Sequence, residues 1–216
     1  MVIKRLMTLI MLLLLGGAVV AQPAPEELTR DERAEIRFLQ GMVDHHQMAL
    51  DMAVDCLEKA STPSVVTVCE NVIAAQSAEI ELMQGWLLDW YNIAYEPMSM
   101  LEMLDMMDMD MMMGGMSSGG GHGGHGGHGA ATTDEPYTDP PMMMGMFAGF
   151  NRLDGTAYEI AWLESMIDHH DDALHMAQRM LARVVNAELG ELAEQIVADQ
   201  TAEIELMEAL IAELEG

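Results

Sequence analysis

The chain is expected to be all-α: a four-helix bundle made of two duplicated helical hairpins joined by a long flexible linker. Three observations predict this. Met42-Val-Asp-His45-His46 recurs as Met166-Ile-Asp-His169-His170, and Gln76-Ser-Ala-Glu79-Ile-Glu-Leu-Met83 recurs at the same offset as Gln200-Thr-Ala-Glu203-Ile-Glu-Leu-Met207. Ten of the twenty positions from Phe38 to Leu57 match the second copy, and seven of the eight from Gln76 to Met83. Each copy carries two long stretches of helical apolar spacing, and one hairpin alone could not bury both stripes, whereas two can close into a bundle.

Residues 1–21 are expected to be a cleaved export signal. Lys4 and Arg5 precede an apolar run, Leu6–Leu15, and Val19-Val20-Ala21 before Gln22 suits signal cleavage. The run is short for a membrane span, and no Cys follows it to take a lipid anchor. The first hairpin occupies residues 22–95, with helices expected over Thr29–Lys59 and Pro63–Tyr91. Thr29 suits an N-cap and Pro63 a first helical turn. Residues 152–216 form the second hairpin, with helices over Asp154–Val185 and Ala187–Leu214 and Asp154 as N-cap.

Between the hairpins, residues 96–151 read as a linker. From Met98 to Met116 there are ten Met among Asp and Gly, including Met106, Met109, Met111 and Met113. Gly-Gly-His repeats follow, at His122, His125 and His128. Glycine at this density opposes both helix and strand. The Met-Asp stretch from Leu101 to Met113 remains compatible with transient helix.

The chain has 36 acidic and nine basic residues, a net charge of −27, and two of the nine, Lys4 and Arg5, lie in the leader. That balance argues against nucleic acid or an anionic membrane as partner. It suits solubility outside the cell and a field that concentrates cations. Cys56 and Cys69 are the only cysteines. They flank the expected first turn, so a disulfide stapling that hairpin is the preferred reading. A thiolate ligand is disfavoured because the second copy has Met180 and Ala193 there, and two independent buried thiols are the remaining alternative.

On a helical wheel at about 100° per residue, His45 and His46 flank Met42 at about −60° and +40°, inside the apolar stripe. Asp44, Gln47 and Asp51 point away. Met166, His169 and His170 repeat the face, and His175 falls opposite Met166. Gln76 and Glu79, and Gln200 and Glu203, intrude on the buried stripes of the second helices, where an unpaired polar group costs a few kcal/mol. The facing histidines are their expected partners.

One explanation is a hydrogen-bonded His–Glu network with Met as ordinary core filler. The other is a metal site, favoured because two adjacent His, a Met one turn earlier, and a Glu and Met on the partner helix are all duplicated. Thioether and imidazole together favour copper: Cu(I) at the Met-containing sites, with Cu(II) or Ag(I) as further candidates. The expected bundle ligands are Met42, His45, His46 and Met83, and Met166, His169, His170 and Met207. Glu79 and Glu203 would be direct ligands or would orient the histidines from behind. The linker Met and His would capture further ions at lower individual affinity. A carboxylate di-iron centre is disfavoured, since the two Glu-x-x-His motifs it needs are absent.

Met42, His45, His46, Ala49, Met52, Ala53, Gln76, Glu79, Ile80 and Met83, with Met166, His169, His170, Ala173, Met176, Ala177, Gln200, Glu203, Ile204 and Met207, form a pattern that resembles the family called domain of unknown function 305. The resemblance covers well over half of the chain beyond the leader. It implies a ferritin-like four-helix bundle and a periplasmic or secreted copper role, since characterised relatives are exported copper binders tied to copper resistance. The long Met/His/Gly linker departs from the minimal family module.

The expected function is therefore copper or silver sequestration, buffering or delivery. Metal ions are the partners, with another exported copper-handling protein as a candidate recipient, and no membrane is involved once the leader is removed. Binding is expected rather than catalysis. The alternatives are a cuprous oxidase, for which no dedicated electron-transfer copper site is evident, and an acidic stress-protective protein with no metal role.

Overall fold

The computed structural model describes residues 27–99 and 152–216, which form four helices: α1 (Arg30–Lys59), α2 (Pro63–Tyr91), α3 (Gly155–Leu181) and α4 (Ala187–Glu215). The leader, and the linker ligands Met106, Met109, Met111, Met113, His122, His125 and His128, lie outside the described residues. The helices pair as two hairpins, α1 with α2 and α3 with α4.

Thr29 caps α1 reciprocally with Glu32: its Oγ1 accepts from Glu32 N at 3.1 Å, and its own N–H donates to Glu32 Oε2 at 2.6 Å. Pro63 opens α2, where its missing N–H has no intrahelical acceptor to lose. Asn92 closes that helix in the left-handed region at φ 55°, and Asn92 and Ile93 return their N–H groups to Leu88 and Leu87. Cys56 and Cys69 are joined as a disulfide across the α1–α2 turn, with Cα atoms 6.3 Å apart.

Helix α3 ends at Leu181, four residues before the Val185 that the periodicity predicts. In a continued helix the Val185 N–H would return to Leu181. Instead it donates to Glu35 Oε1 on α1, as does the Asn186 N–H, at 2.5 and 2.9 Å. A tertiary acceptor outcompetes the next helical turn.

Helices α1 and α3 cross antiparallel through the centre of the bundle. Tyr158 OH donates to Asp55, Trp162 Nε1 to the Met52 carbonyl, and His169 Nε2 to the His45 carbonyl. Position falls along α1 as it rises along α3. The duplication thus becomes an approximate two-fold whose axis passes near His45 and His169, the same residue in each copy.

The apolar core is split in two by that axis. One cluster joins Met48, Met52, Cys56 and Cys69 with Tyr158, Trp162, Met166 and Met207. The other joins Phe38, Met42 and Met83 with Met176, Met180, Leu189 and Ile196. Each draws on all four helices. Between them lies a polar layer of His45, His46, Gln76, His169, His170 and Gln200, every one of these residues buried.

Candidate metal centre

The wheel expectation for the histidines holds. His46 Nε2 lies 2.6 Å from Glu79 Oε2, and His170 Nε2 lies 2.7 Å from Glu203 Oε2. These are the same bond in each copy, formed within each hairpin. His45 and His169 meet across the α1–α3 crossing, ring centroids 3.7 Å apart and planes tilted by 33°. His175 is 60% exposed, with Asp171 3.6 Å away.

Hydrogen-bond chemistry assigns the tautomers. A backbone carbonyl can only accept, so His169 Nε2 carries the proton in its bond to His45 O at 2.9 Å. A carboxylate likewise accepts, so Nε2 of His46 and of His170 donates to its glutamate. In the neutral imidazole this leaves Nδ1 of all three as a bare lone pair. Those atoms, and Nδ1 of His45, are buried without a hydrogen-bond partner.

The expectation for the amides does not hold. Gln76 reaches no partner through either amide atom, and Gln200 Oε1 is equally alone. The histidines spend their donors on the glutamates and a carbonyl, and their remaining nitrogens face elsewhere. Every buried side-chain nitrogen or oxygen without a partner, among the described residues, belongs to these four histidines and two glutamines. Folded proteins satisfy nearly all such groups. A single layer that concentrates the exceptions is therefore the candidate place for a ligand or ordered water.

Burial, followed by the charges of neighbouring histidines, pushes the His45 imidazole well below its ordinary value of 6.5. Burial, followed by the His170 charge, does the same to His169, and its bond to the His45 carbonyl only partly opposes this. Both rings are thus neutral, lone-pair donors at neutral pH. In metal-free protein, a depressed folded-state pKa on a base means that stability is full above 6.5 and drains away as pH falls below it. Two such groups give a slope of up to about 2.7 kcal/mol per pH unit. Denaturant midpoints at pH 7.5 and 5.5 check this, and equal midpoints would contradict it. The carboxylate contribution sits lower. Burial pushes Glu159 up, but bonds from Thr62 and Ser61 more than offset it, so its pKa lies below the ordinary 4.5. Its stabilisation is lost only as pH falls below that value.

The thioethers line the layer from both sides. Met42 and Met83 lie fully buried in one cluster, and Met166 and Met207 in the other. Met52 and Met176, equivalent under the duplication, and Met48 and Met180 add further buried thioethers. None of these last four was named as a ligand from the sequence. Among the described residues, no three His, Cys, Asp or Glu side chains form a group that could hold an ion by themselves. A bundle site with three or more protein ligands must therefore draw on the thioethers, which suits a soft ion.

Two features escape the sequence reading altogether. Glu35, fully buried, takes the Val185 and Asn186 N–H groups at the start of α4, and also the Tyr91 hydroxyl and Asn186 Nδ2. Its duplicate Glu159 takes the Ser61 and Thr62 N–H groups and both their hydroxyls at the start of α2. Each hairpin thus holds the turn of the other. The signal was present, since Glu35-Ile36 recurs as Glu159-Ile160 at the shared offset. The second feature is Asp172, whose Oδ2 stands 3.6 Å from His45 Nε2.

Solved structures share this fold. A DUF305 protein from Streptomyces coelicolor, described as secreted, is 25% identical with a TM-score of 0.59, covering 85% of this chain and 93% of its own. CopM in its Cu(II)-bound form is 25% identical with a TM-score of 0.58, over 83% of this chain and 96% of its own. A DUF305 fragment from Deinococcus radiodurans is 27% identical with a TM-score of 0.57, over 83% and 96%. No curated protein matches. The family model described as Domain of unknown function (DUF305) matches residues 35–211, from the carboxylate that clasps the opposite hairpin to the end of the repeated α4 motif, and the chain belongs to that family.

Proposed function

We propose that this protein binds copper outside the cytoplasm and serves in its sequestration, buffering or delivery. The observation that carries the reading is the polar layer: buried Nδ1 lone pairs, each ring but that of His45 held from behind by a carboxylate or carbonyl, between two shells of buried thioethers. Metal-binding histidines are commonly braced in this way, because the bond to the far nitrogen sets the tautomer and raises the basicity of the near one. The donor set of imidazole and thioether favours Cu(I), with Ag(I) behaving alike and Cu(II) taken by imidazole-rich sites. The Cu(II)-bound form of CopM, on the same fold, supports the choice of metal.

The bundle ligands on this reading are His46 and Met42 with Met83, and His170 and Met166 with Met207. His45 and His169 stand between them, and Glu79 and Glu203 act as braces. The linker thioethers and the imidazoles at His122, His125 and His128 add capacity. A cysteine pair held as a disulfide suits an oxidising compartment, and no described helix is long and apolar enough to cross a membrane. The protein binds rather than turns over, and a second exported copper-handling protein is the natural recipient.

Titrating Cu(I) against a chromophoric chelator tests this. Tight binding should persist in a variant lacking residues 98–146 and fall at least about 100-fold, two braced ligands being lost, when His46 and His170 are replaced by Leu in that background. Loss of all tight binding with the linker alone would move the site out of the bundle.

A further inference from the structure

The two halves of the bundle differ in the polar layer at His45. The two-fold that relates them predicts that His45 Nε2 should donate to the His169 carbonyl, as His169 Nε2 donates to the His45 carbonyl. Instead, the contact recorded for His45 Nε2 is the Asp172 carboxylate at 3.6 Å, beyond hydrogen-bond reach. The residue at the corresponding position of the first copy is Met48, which is 2% exposed and packed in the cluster of Met52 and Met166. Asp172 is 37% exposed. One copy therefore places a hard, solvent-reachable oxygen where the other keeps a soft, buried sulfur.

We propose that His45 and Asp172 form a Cu(II) site at the rim of the bundle, distinct in oxidation-state preference from the thioether sites inside. This deepens the copper reading and rests on it. Cu(II) with nitrogen and oxygen ligands is tetragonal, so at bonds of about 2.0–2.2 Å two neighbouring ligands stand about 3.0 Å apart. The 3.6 Å gap between His45 and Asp172 must therefore close by about 0.6 Å, which the part-exposed Asp172 side chain can supply. Imidazole with carboxylate suits Cu(II), whereas a thioether in that place would turn the preference to Cu(I). The remaining positions of the ion face solvent on the Asp172 side, so water completes them. His45 is 1% exposed and packed against His169, so its ring is held with Nε2 toward Asp172. The duplication has thus diverged, leaving one rim for the oxidised ion and thioethers for the reduced one.

The test uses the full chain carrying His122→Ala, His125→Ala and His128→Ala, which removes the competing linker imidazoles. Cu(II) is titrated alone and followed by electron paramagnetic resonance, and Cu(I) is titrated separately against a chelator. Asp172→Asn should weaken the Cu(II) site at least tenfold and leave Cu(I) affinity within about twofold, the ordinary consequence of losing one charged oxygen ligand from one site only. Asp172→Met, which copies the first half, should lose the Cu(II) signal and add Cu(I) capacity. Unchanged Cu(II) affinity in both variants overturns the proposal, and so does an equal fall in Cu(I) affinity, which would show a general structural role for Asp172. If the parent chain binds Cu(II) through Asp172 but no Cu(I) tightly, the thioether reading of the bundle fails while this site stands.

Discussion

Replacing Glu35 by Ala should cost about 3–5 kcal/mol of folding stability, with Glu159→Ala costing nearly as much. Each carboxylate is buried and accepts four hydrogen bonds, two of them from backbone N–H groups at the start of a helix in the other hairpin. Truncation strands those donors away from water, at about 1–3 kcal/mol per buried unsatisfied group. It also removes a negative charge from the helix N-terminus, where the backbone dipoles favour it. Glu35→Gln should recover only part of the loss, because one arm of the amide presents donors to donors. The two clasps lie at opposite ends of the bundle, so the double variant should show the sum of the single losses. Urea denaturation of the three variants measures this. A loss below about 1 kcal/mol for Glu35→Ala, within the range of a single ordinary hydrogen bond, would show that water satisfies the stranded groups and that the clasp is not what joins the hairpins.

Glu79→Gln and Glu203→Gln should each weaken Cu(I) binding at its own half by about 10–100-fold, the usual effect of losing a group that braces a metal-bound histidine. The glutamates lie 19% and 28% exposed at the edge of the layer, so their role in folding is the smaller part. The histidine tautomer decides the effect. A carboxylate accepts only, so it holds the proton on Nε2 and keeps Nδ1 bare. A glutamine can turn its NH2 toward Nε2 instead, which places the proton on Nδ1 and closes the lone pair to the ion. Chelator competition in the variant lacking residues 98–146 isolates the bundle from the linker. The informative contrast is with Glu79→Ala and Glu203→Ala, where no group enforces either tautomer and the loss should be smaller than for Gln. If all four variants bind Cu(I) like the parent, the His–Glu pairs serve the fold alone, and the capture of metal belongs to the methionines.

Much of the site was legible before any coordinates. The wheel positions were sufficient to face Glu79 toward the histidines of the neighbouring helix, because helical periodicity fixes which residues share a face and a short turn fixes which faces meet; that it takes His46 rather than His45 came from the structure. The same reasoning paired Cys56 with Cys69. It failed for Gln76 and Gln200. Pairing those amides required knowing how the histidine protons were already committed, and that depended on the carbonyl of His45 supplied by the crossing helix. It also ended α3 too late, since the periodicity past Leu181 carried no sign that Glu35 would take the next N–H groups.

Local order in this chain thus follows from the sequence alone. Four amphipathic stretches, a capping box at Thr29, a proline at the start of α2 and a repeat offset shared by every motif are properties of neighbouring residues, and they specify helices, hairpins and the duplication. What the tertiary structure decided is how the hairpins dock. The antiparallel crossing stacks His45 on His169, gathers the orphaned lone pairs of both copies into one layer, and lets Glu35 and Glu159 exchange turns. It also breaks the two-fold, giving His169 a carbonyl and His45 a carboxylate. The two rings pack 3.7 Å apart at the crossing, and in that packing only His169 reaches the backbone of the other copy, a choice that no local sequence signal carries.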